Sequence, residues 1–132
     1  AIADLIIEFQ KSTGVLPTFD HQLTSSLSHD LDVVIYRIVQ ESLNNIRKYA
    51  DATEVNIAII QSATELKITI VDNGNGFDLT QNTTGFGLQG MRERALALMG
   101  QLDIVTGPSQ GCRVIATLPI SERMDDDSLT TR

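Results

Sequence analysis

Asp72-Asn73-Gly74-Asn75-Gly76 and Gly85-Phe86-Gly87-Leu88-Gln89-Gly90 are two glycine-rich segments separated by a short polar stretch. Upstream of both, a helical stretch carries Glu41, Asn45 and Lys48 at i, i+4 and i+7, a spacing that puts the three on one face. Glycine lets backbone N–H groups close in on an anion and turn through positive φ. A carboxamide and a carboxylate on a rigid helix suit an oxygen-preferring cation such as Mg2+. Together the segments read as a site for a metal-bound nucleotide.

The elements around that site follow from periodicity. Ile2, Leu5, Ile6 and Phe9 fall at helical spacing, and the helix they predict stops near Gly14. Val15 to Asp20 reads as a short strand that Pro17 confines to a sheet edge, followed by a polar loop from His21 to Ser28. Ser28 is a good N-cap, with Asp30 and Asp32 in the first turn of a helix running to about Tyr49. Val34, Ile35, Ile38, Val39, Ser42 and Ile46 form its apolar stripe. Glu54 to Gln61 and Glu65 to Asp72 alternate as strands do, with Ser62-Ala63-Thr64 as the hairpin turn. Phe77 to Thr84 is read as a mobile loop. Leu88 to Met99 returns to helical spacing with Met91, Ala95, Leu98 and Met99 inward and Gly100 as its stop. Gln101 to Thr106 and Cys112 to Leu118 close the chain as a second strand pair. The order α-β-α-β-β-α-β-β predicts an α/β fold, one mixed sheet with helices on a single face.

Composition narrows the function. The 132 residues, 42% hydrophobic, make one domain with a real core. No apolar run is long enough to cross a membrane, and no signal-peptide pattern opens the chain. The start on Ala1 without Met suggests a piece of something longer. A single cysteine, Cys112, excludes an internal disulfide and fits a reducing compartment. The net charge of −7 argues against nucleic acid as a partner. It also sets the surface against a bare polyphosphate, so a divalent cation is expected with a phosphorylated ligand. Part of that charge lies in Glu122 and Asp125 to Asp127, within a segment, residues 121–132, expected to be a solvated tail after a domain of residues 1–120.

Each motif also has a plain structural reading. The Glu41 face could be an ordinary solvated stripe with an Arg37–Glu41 pair, but Asn44 and Asn45 are poor residues for a helix interior. Asn-Gly is the strongest hairpin-turn signal, yet here it occurs twice in succession with no strand following to pair back. Asp72, at the end of a buried strand, is placed to accept a hydrogen bond from an exocyclic amine such as that of adenine. Gly85 to Gly90 matches G-x-G-x-x-G, but no strand precedes it and no acid follows at the dinucleotide spacing. No Gly-Lys-Ser/Thr is present, so a P-loop is excluded as well. A loop feeding a helix N-terminus remains, which is an anion site within reach of Arg92 and Arg94. His29-Asp30 has the form of a phosphoacceptor histidine with its acid, but helix capping by Ser28 explains the stretch better.

Gln40-Glu41-Ser42-Leu43-Asn44-Asn45-Ile46-Arg47-Lys48-Tyr49-Ala50 resembles the N box of a sensor histidine kinase. Asp72 to Gly76 resembles the G1 box, and Gly85 to Arg94 the G2 box. The wording is similar to that of the nitrate-sensor and hexose-phosphate-sensor branch, and the likeness spans residues 1–120. It implies the Bergerat two-layer ATP-binding sandwich, shared with gyrase, Hsp90 and MutL, with a mainly antiparallel sheet. By that resemblance the cofactors are ATP and Mg2+, Asn45 is a metal ligand, and Asp72 reads the adenine amino group. Gly74 and Gly76 shape the pocket floor, Gly85 and Gly87 hinge a lid, Leu88 and Gly90 complete the cofactor-binding segment, and Lys48 contacts phosphate. Glu41 takes the place where ATPase relatives keep a water-activating carboxylate, so it is the candidate catalytic residue.

The resemblance also implies phosphoryl transfer to a histidine on a separate dimerisation domain, which then feeds a response regulator. The isolated domain would be a monomer, and its parent a membrane-anchored homodimer with this domain in the cytoplasm. Two features depart from the pattern. Cys112 stands where many relatives have threonine, and a thiol is a weak hydrogen-bond partner. The helical hairpin bearing the phosphoacceptor histidine is missing, so the chain is expected to bind ATP without completing the reaction. A self-contained ATPase of the gyrase or Hsp90 kind and a nucleotide-free interaction module are the rival readings.

Overall fold

Ile68, Leu66, Ala116 and Leu118 are wholly buried on the inner face of a five-stranded sheet ordered β1-β2-β3-β5-β4. The computed structural model describes residues 2–76 and 87–120. Its elements are α1 (Ile2–Thr13), β1 (Thr18–Gln22), α2 (His29–Asn45) continued as a π-helix (Ile46–Ala50), β2 (Val55–Gln61), β3 (Glu65–Asp72), α3 (Leu88–Ala97), β4 (Gln101–Thr106) and β5 (Cys112–Pro119). The element order and the mixed sheet agree with the sequence reading. β1 runs parallel to β2, with Phe19 opposite Ile57, and the other pairings are antiparallel.

Alternation in the sequence becomes sidedness in the sheet. Val55, Ile57 and Ile59 of β2 and Leu66, Ile68 and Ile70 of β3 point to the buried face, as do Val114, Ala116 and Leu118 of β5. The stripe predicted for α2 (Val34, Ile35, Ile38, Val39, Ser42 and Ile46) is buried with Leu43, and Ile6 and Phe9 of α1 and Met91 and Ala95 of α3 complete the core. Each such aliphatic side chain contributes about 1.5–3 kcal/mol by leaving water. Ser28 caps α2 by accepting from the Leu31 N–H at 3.2 Å, as its residue type predicts.

Four boundaries differ from the sequence reading. β1 starts at Thr18, after Pro17, and runs to Gln22, so His21 is a strand residue, not part of a loop. Its ring lies 4.9 Å, centroid to centroid, from that of Phe19, two residues back on the same strand face. Gln61 explains where the polar segment after β1 goes: its buried side chain accepts from the Thr24 N–H at 2.9 Å and donates to Ser25 Oγ at 2.9 Å. The α2 helix changes to π geometry after Asn45 and does not continue as α to Tyr49. Finally, α3 ends at Ala97, and Met99 is 86% exposed with φ 64, not an inward residue. Gly100 still marks the stop, for a different reason: its N–H reaches back to the Ala95 carbonyl at 2.8 Å, and a Cβ there would overlap the Thr117 carbonyl of β5. The expected loop from Phe77 to Thr84 and the expected tail lie outside the described residues.

Candidate functional site

A cleft of about 420 Å3, counting the part open to solvent, lies at the end of the sheet between the π-helix, the start of α3 and the C-terminal end of β3. Asp72 is placed there by its position as the last residue of β3, where strand alternation turns it to the inner face. Only 6% of its surface is exposed. Its Oδ1 accepts the Gly74 N–H at 2.8 Å, an Asx turn that carries the chain out of the strand. Burial raises the pKa of this carboxyl above the ordinary value, and the Gly74 N–H opposes that shift without cancelling it. Ile46, Ile70, Leu88 and Val114 line the same cleft, so a single carboxylate sits among apolar walls. That combination suits a flat heterocycle with one polar edge.

The turn after Asp72 is fixed by backbone contacts. Asn73 accepts from the Thr53 and Glu54 N–H groups at 2.9 Å each, and donates to Thr53 Oγ1 at 2.9 Å. The Asn75 N–H donates to the Ala50 carbonyl at 2.7 Å, while its own carbonyl accepts from Ser109. Gly74 runs so close to Ala50 that a Cβ would overlap the Ala50 carbonyl oxygen. Gly76, at φ +67, lies against the carbonyls of Gly107 and Gly111 with the same result. The predicted floor glycines are therefore obligatory for packing.

On the helical side, Ser42, Asn45, Ile46 and Tyr49 line the cleft at i, i+3, i+4 and i+7. Asn45 is brought to the site as predicted. The stripe that lines the cleft is thus about a quarter-turn away from the predicted Glu41-Asn45-Lys48 face, and Glu41 is not part of it. Lys48 is exposed on the π-helix and is not among the lining residues, and Ser42 and Tyr49 take places that the sequence reading did not assign. The helix carrying these residues changes from α to π geometry after Asn45. Such one-turn insertions occur often at functional sites. The signal in the sequence was the buried stripe itself, since Ser42 and Ile46 already belonged to it.

Glu41 and Arg37 do not form the pair expected of a solvated face. Arg37 donates to Gln40 Oε1 at 3.1 Å. The Glu41 carboxyl packs over Gly87, with its Cδ 2.5 Å and Oε2 2.7 Å from where a Cβ on Gly87 would lie. Gly87 is the N-cap of α3 at φ 66, so Glu41 stands at the positive end of that helix. Leu88 is buried and lines the cleft, whereas Gly90 lies on the exposed side of α3 with open space around it. Gly85 lies outside the described residues. Cys112 faces Asp72 across the β3–β5 ladder and lines the cleft. Its thiol is pushed up to about 11 by burial first and then by the neighbouring Asp72 charge, against a hydrogen bond with Thr106. No cluster of three or more His, Cys, Asp or Glu side chains suited to a metal is present among the described residues.

Residues 31–122 match the family described as histidine kinase-, DNA gyrase B- and HSP90-like ATPases. The chain belongs to that family. The signal transduction histidine-protein kinase/phosphatase DegS of Brevibacillus brevis is 39% identical over 115 residues, which is 86% of this chain and 30% of that protein. The chain therefore spans less than a third of this curated relative. Among solved structures, the Erythrobacter litoralis EL346 blue-light activated histidine kinase aligns with a TM-score of 0.70 at 19% identity, covering 94% of this chain and 42% of that one. The Acinetobacter baumannii histidine kinase AdeS aligns at 0.74 and 16% identity, covering 89% and 62%. At that identity the likeness establishes the fold: the two-layer arrangement of this ATPase family. Among the described residues no helix is long and apolar enough to cross a membrane.

Proposed function

We propose that this chain is the nucleotide-binding catalytic domain of a sensor histidine kinase, holding Mg·ATP for phosphoryl transfer to a histidine on a separate domain. The observation that carries the reading is a single buried carboxylate, Asp72, at the floor of a cleft with largely apolar walls in a member of an ATPase family. Asp72 accepts from the amino edge of adenine, and Ile46, Ile70, Leu88 and Val114 cover the faces of the ring. The close-packed glycines support this assignment, since they leave the floor free of side chains.

The donor set fits magnesium bound mainly through phosphate. Mg2+ keeps several waters and needs few protein ligands, and Asn45, on the cleft wall, would hold it through its amide oxygen. When bound, Mg·ATP supplies the transferable phosphoryl group and neutralises part of its charge. This chain's residues contribute orientation and water exclusion, which is the greater part of catalysis in phosphoryl transfer. The α3 N-terminus, with Gly87 at its cap, supports phosphate binding through its free N–H groups. Lys48, exposed on the π-helix, adds a positive charge for the phosphates. The parent protein is a homodimer whose dimerisation domain carries the acceptor histidine and passes the phosphoryl group to a response regulator; the domain works in the cytoplasm, beneath a membrane anchor elsewhere in the parent.

Titration calorimetry of the chain with Mg·ATP tests the proposal. One saturable site is expected, and saturation at 100 times Kd stabilises the fold by about 2.7 kcal/mol. Asn45→Ala is expected to lose metal-dependent binding while it unfolds as cooperatively as the wild type. No heat and no shift in Tm with the wild type would contradict the assignment.

A further inference from the structure

The position of Glu41 has a consequence for which form of the nucleotide can bind, and it rests on the ATP-site reading above. Its carboxyl group is lodged over Gly87 at the N-terminus of α3, close enough that a Cβ at position 87 would have to displace it. The left-handed φ of 66 at Gly87 and the absence of a side-chain cap leave this end of the helix open towards α2, and Glu41 is the α2 residue that faces it. Arg37, one turn back on α2, donates to Gln40 and forms no ion pair with this carboxylate. Glu41 stands beside the cleft and is not among its lining residues; the acid that lines it, Asp72, lies on the floor at the end of β3. The chain carries a net charge of −7, so its wider field adds to the repulsion of an anion.

We propose that Glu41 sets the metal dependence of nucleotide binding: its charge beside the α3 N-terminus repels an uncompensated triphosphate and leaves the magnesium complex as the form that binds. A helix N-terminus by itself attracts phosphate whether or not a cation is present. A fixed carboxylate at the same end opposes that attraction. The opposition is larger for the tetra-anionic free nucleotide than for its magnesium complex, which carries two fewer negative charges. Glu41 is thus a specificity-determining residue for the charge state of the ligand, acting through the helix end that it covers.

The test compares ATP binding in excess Mg2+ with ATP binding in EDTA, by calorimetry, for the wild-type chain, Glu41→Gln and Glu41→Asp. Glutamine keeps the shape over Gly87 and removes the charge. The ratio of the metal-free to the magnesium Kd is expected to shrink on the order of tenfold in Glu41→Gln, through tighter metal-free binding. It is expected to stay near the wild-type value in Glu41→Asp, and raised salt should narrow the difference between the variants. A ratio unchanged in Glu41→Gln overturns the proposal, and so does a smaller ratio that comes from weaker Mg·ATP binding, which would make Glu41 a metal ligand. A wild-type chain that binds no adenine nucleotide in either buffer refutes the ATP site itself. Wild-type binding of Mg·ATP with an unaltered ratio refutes only the role of Glu41.

Discussion

The two glycine segments that frame the cleft are alike in sequence and unlike in what surrounds them. Around Gly74 and Gly76 the atoms nearest the space beside Cα are backbone carbonyl oxygens, of Ala50 at the first and of Gly107 and Gly111 at the second, with Ala50 Cβ and Thr106 Oγ1 close behind. At Gly87 it is filled by the Glu41 side chain, and at Gly90 by nothing within 4 Å. The first segment is therefore a structural joint where three parts of the chain meet at backbone-to-backbone contact distance. Among its described residues, the second is met by the Glu41 side chain at Gly87 and continues as the start of α3. A glycine motif is thus not uniform in meaning; each glycine answers to its own neighbour.

Substitutions can break that contrast. Gly76→Ala is expected to have the largest effect, because a left-handed backbone disfavours alanine by roughly 1–2 kcal/mol before the overlap with two carbonyls is counted. A total loss above about 3 kcal/mol by urea denaturation is expected. Gly87→Ala has the same backbone penalty, but its obstacle is a carboxyl side chain that can move, so about 1–2 kcal/mol is expected. Equal losses at the two positions would end the distinction between backbone joint and side-chain contact. Gly90→Ala marks the opposite limit. Within α3 and with open space around it, alanine should stabilise the chain by about 0.5–1 kcal/mol and leave Mg·ATP affinity intact. A loss of affinity there would restore Gly90 to the binding site.

Asp72 gives the comparison a pH dependence. Its carboxyl has a raised pKa in the folded chain, so below the ordinary value of 3.8 both states are neutral and it has no effect on stability. As pH rises past that value the unfolded chain ionises first, and stability falls until the folded carboxyl ionises as well. Asp72→Asn keeps an oxygen for the Gly74 N–H and removes this penalty. Its Tm is expected to exceed the wild-type value at neutral pH, with the gain vanishing as pH falls towards 3.8. A gain that persists at low pH would mean that packing, not buried charge, is responsible.

Much of this fold was legible in the sequence, because strand alternation and helical stripes report directly which side chains leave water. The hairpin β2–β3, the Ser28 cap and the buried stripe of α2 are of this kind. The features that were not legible depend on contacts between distant segments. The π-helix ends where the Ala50 carbonyl receives the Asn75 N–H, which no local propensity encodes. On that π-helix Tyr49, and not Lys48, lines the cleft with Asn45. Likewise Met99 looked like a helical core residue, but the close pass of Gly100 to Thr117 ends the helix before it. Of the candidate site, Asn45, Asp72, Gly76 and Leu88 meet in one cleft. Gly74 and Gly87 support its edges, whereas Ser42 and Tyr49 became visible as wall residues only once the helix geometry was known.

The most direct test of the account is the ratio of Kd values for Mg·GTP and Mg·ATP, measured by calorimetry on the wild-type chain and on Asp72→Asn. If the buried carboxylate reads the adenine amino group, the wild type prefers ATP, and the variant binds ATP more weakly with that preference flattened. Wild-type selectivity retained in Asp72→Asn would contradict it.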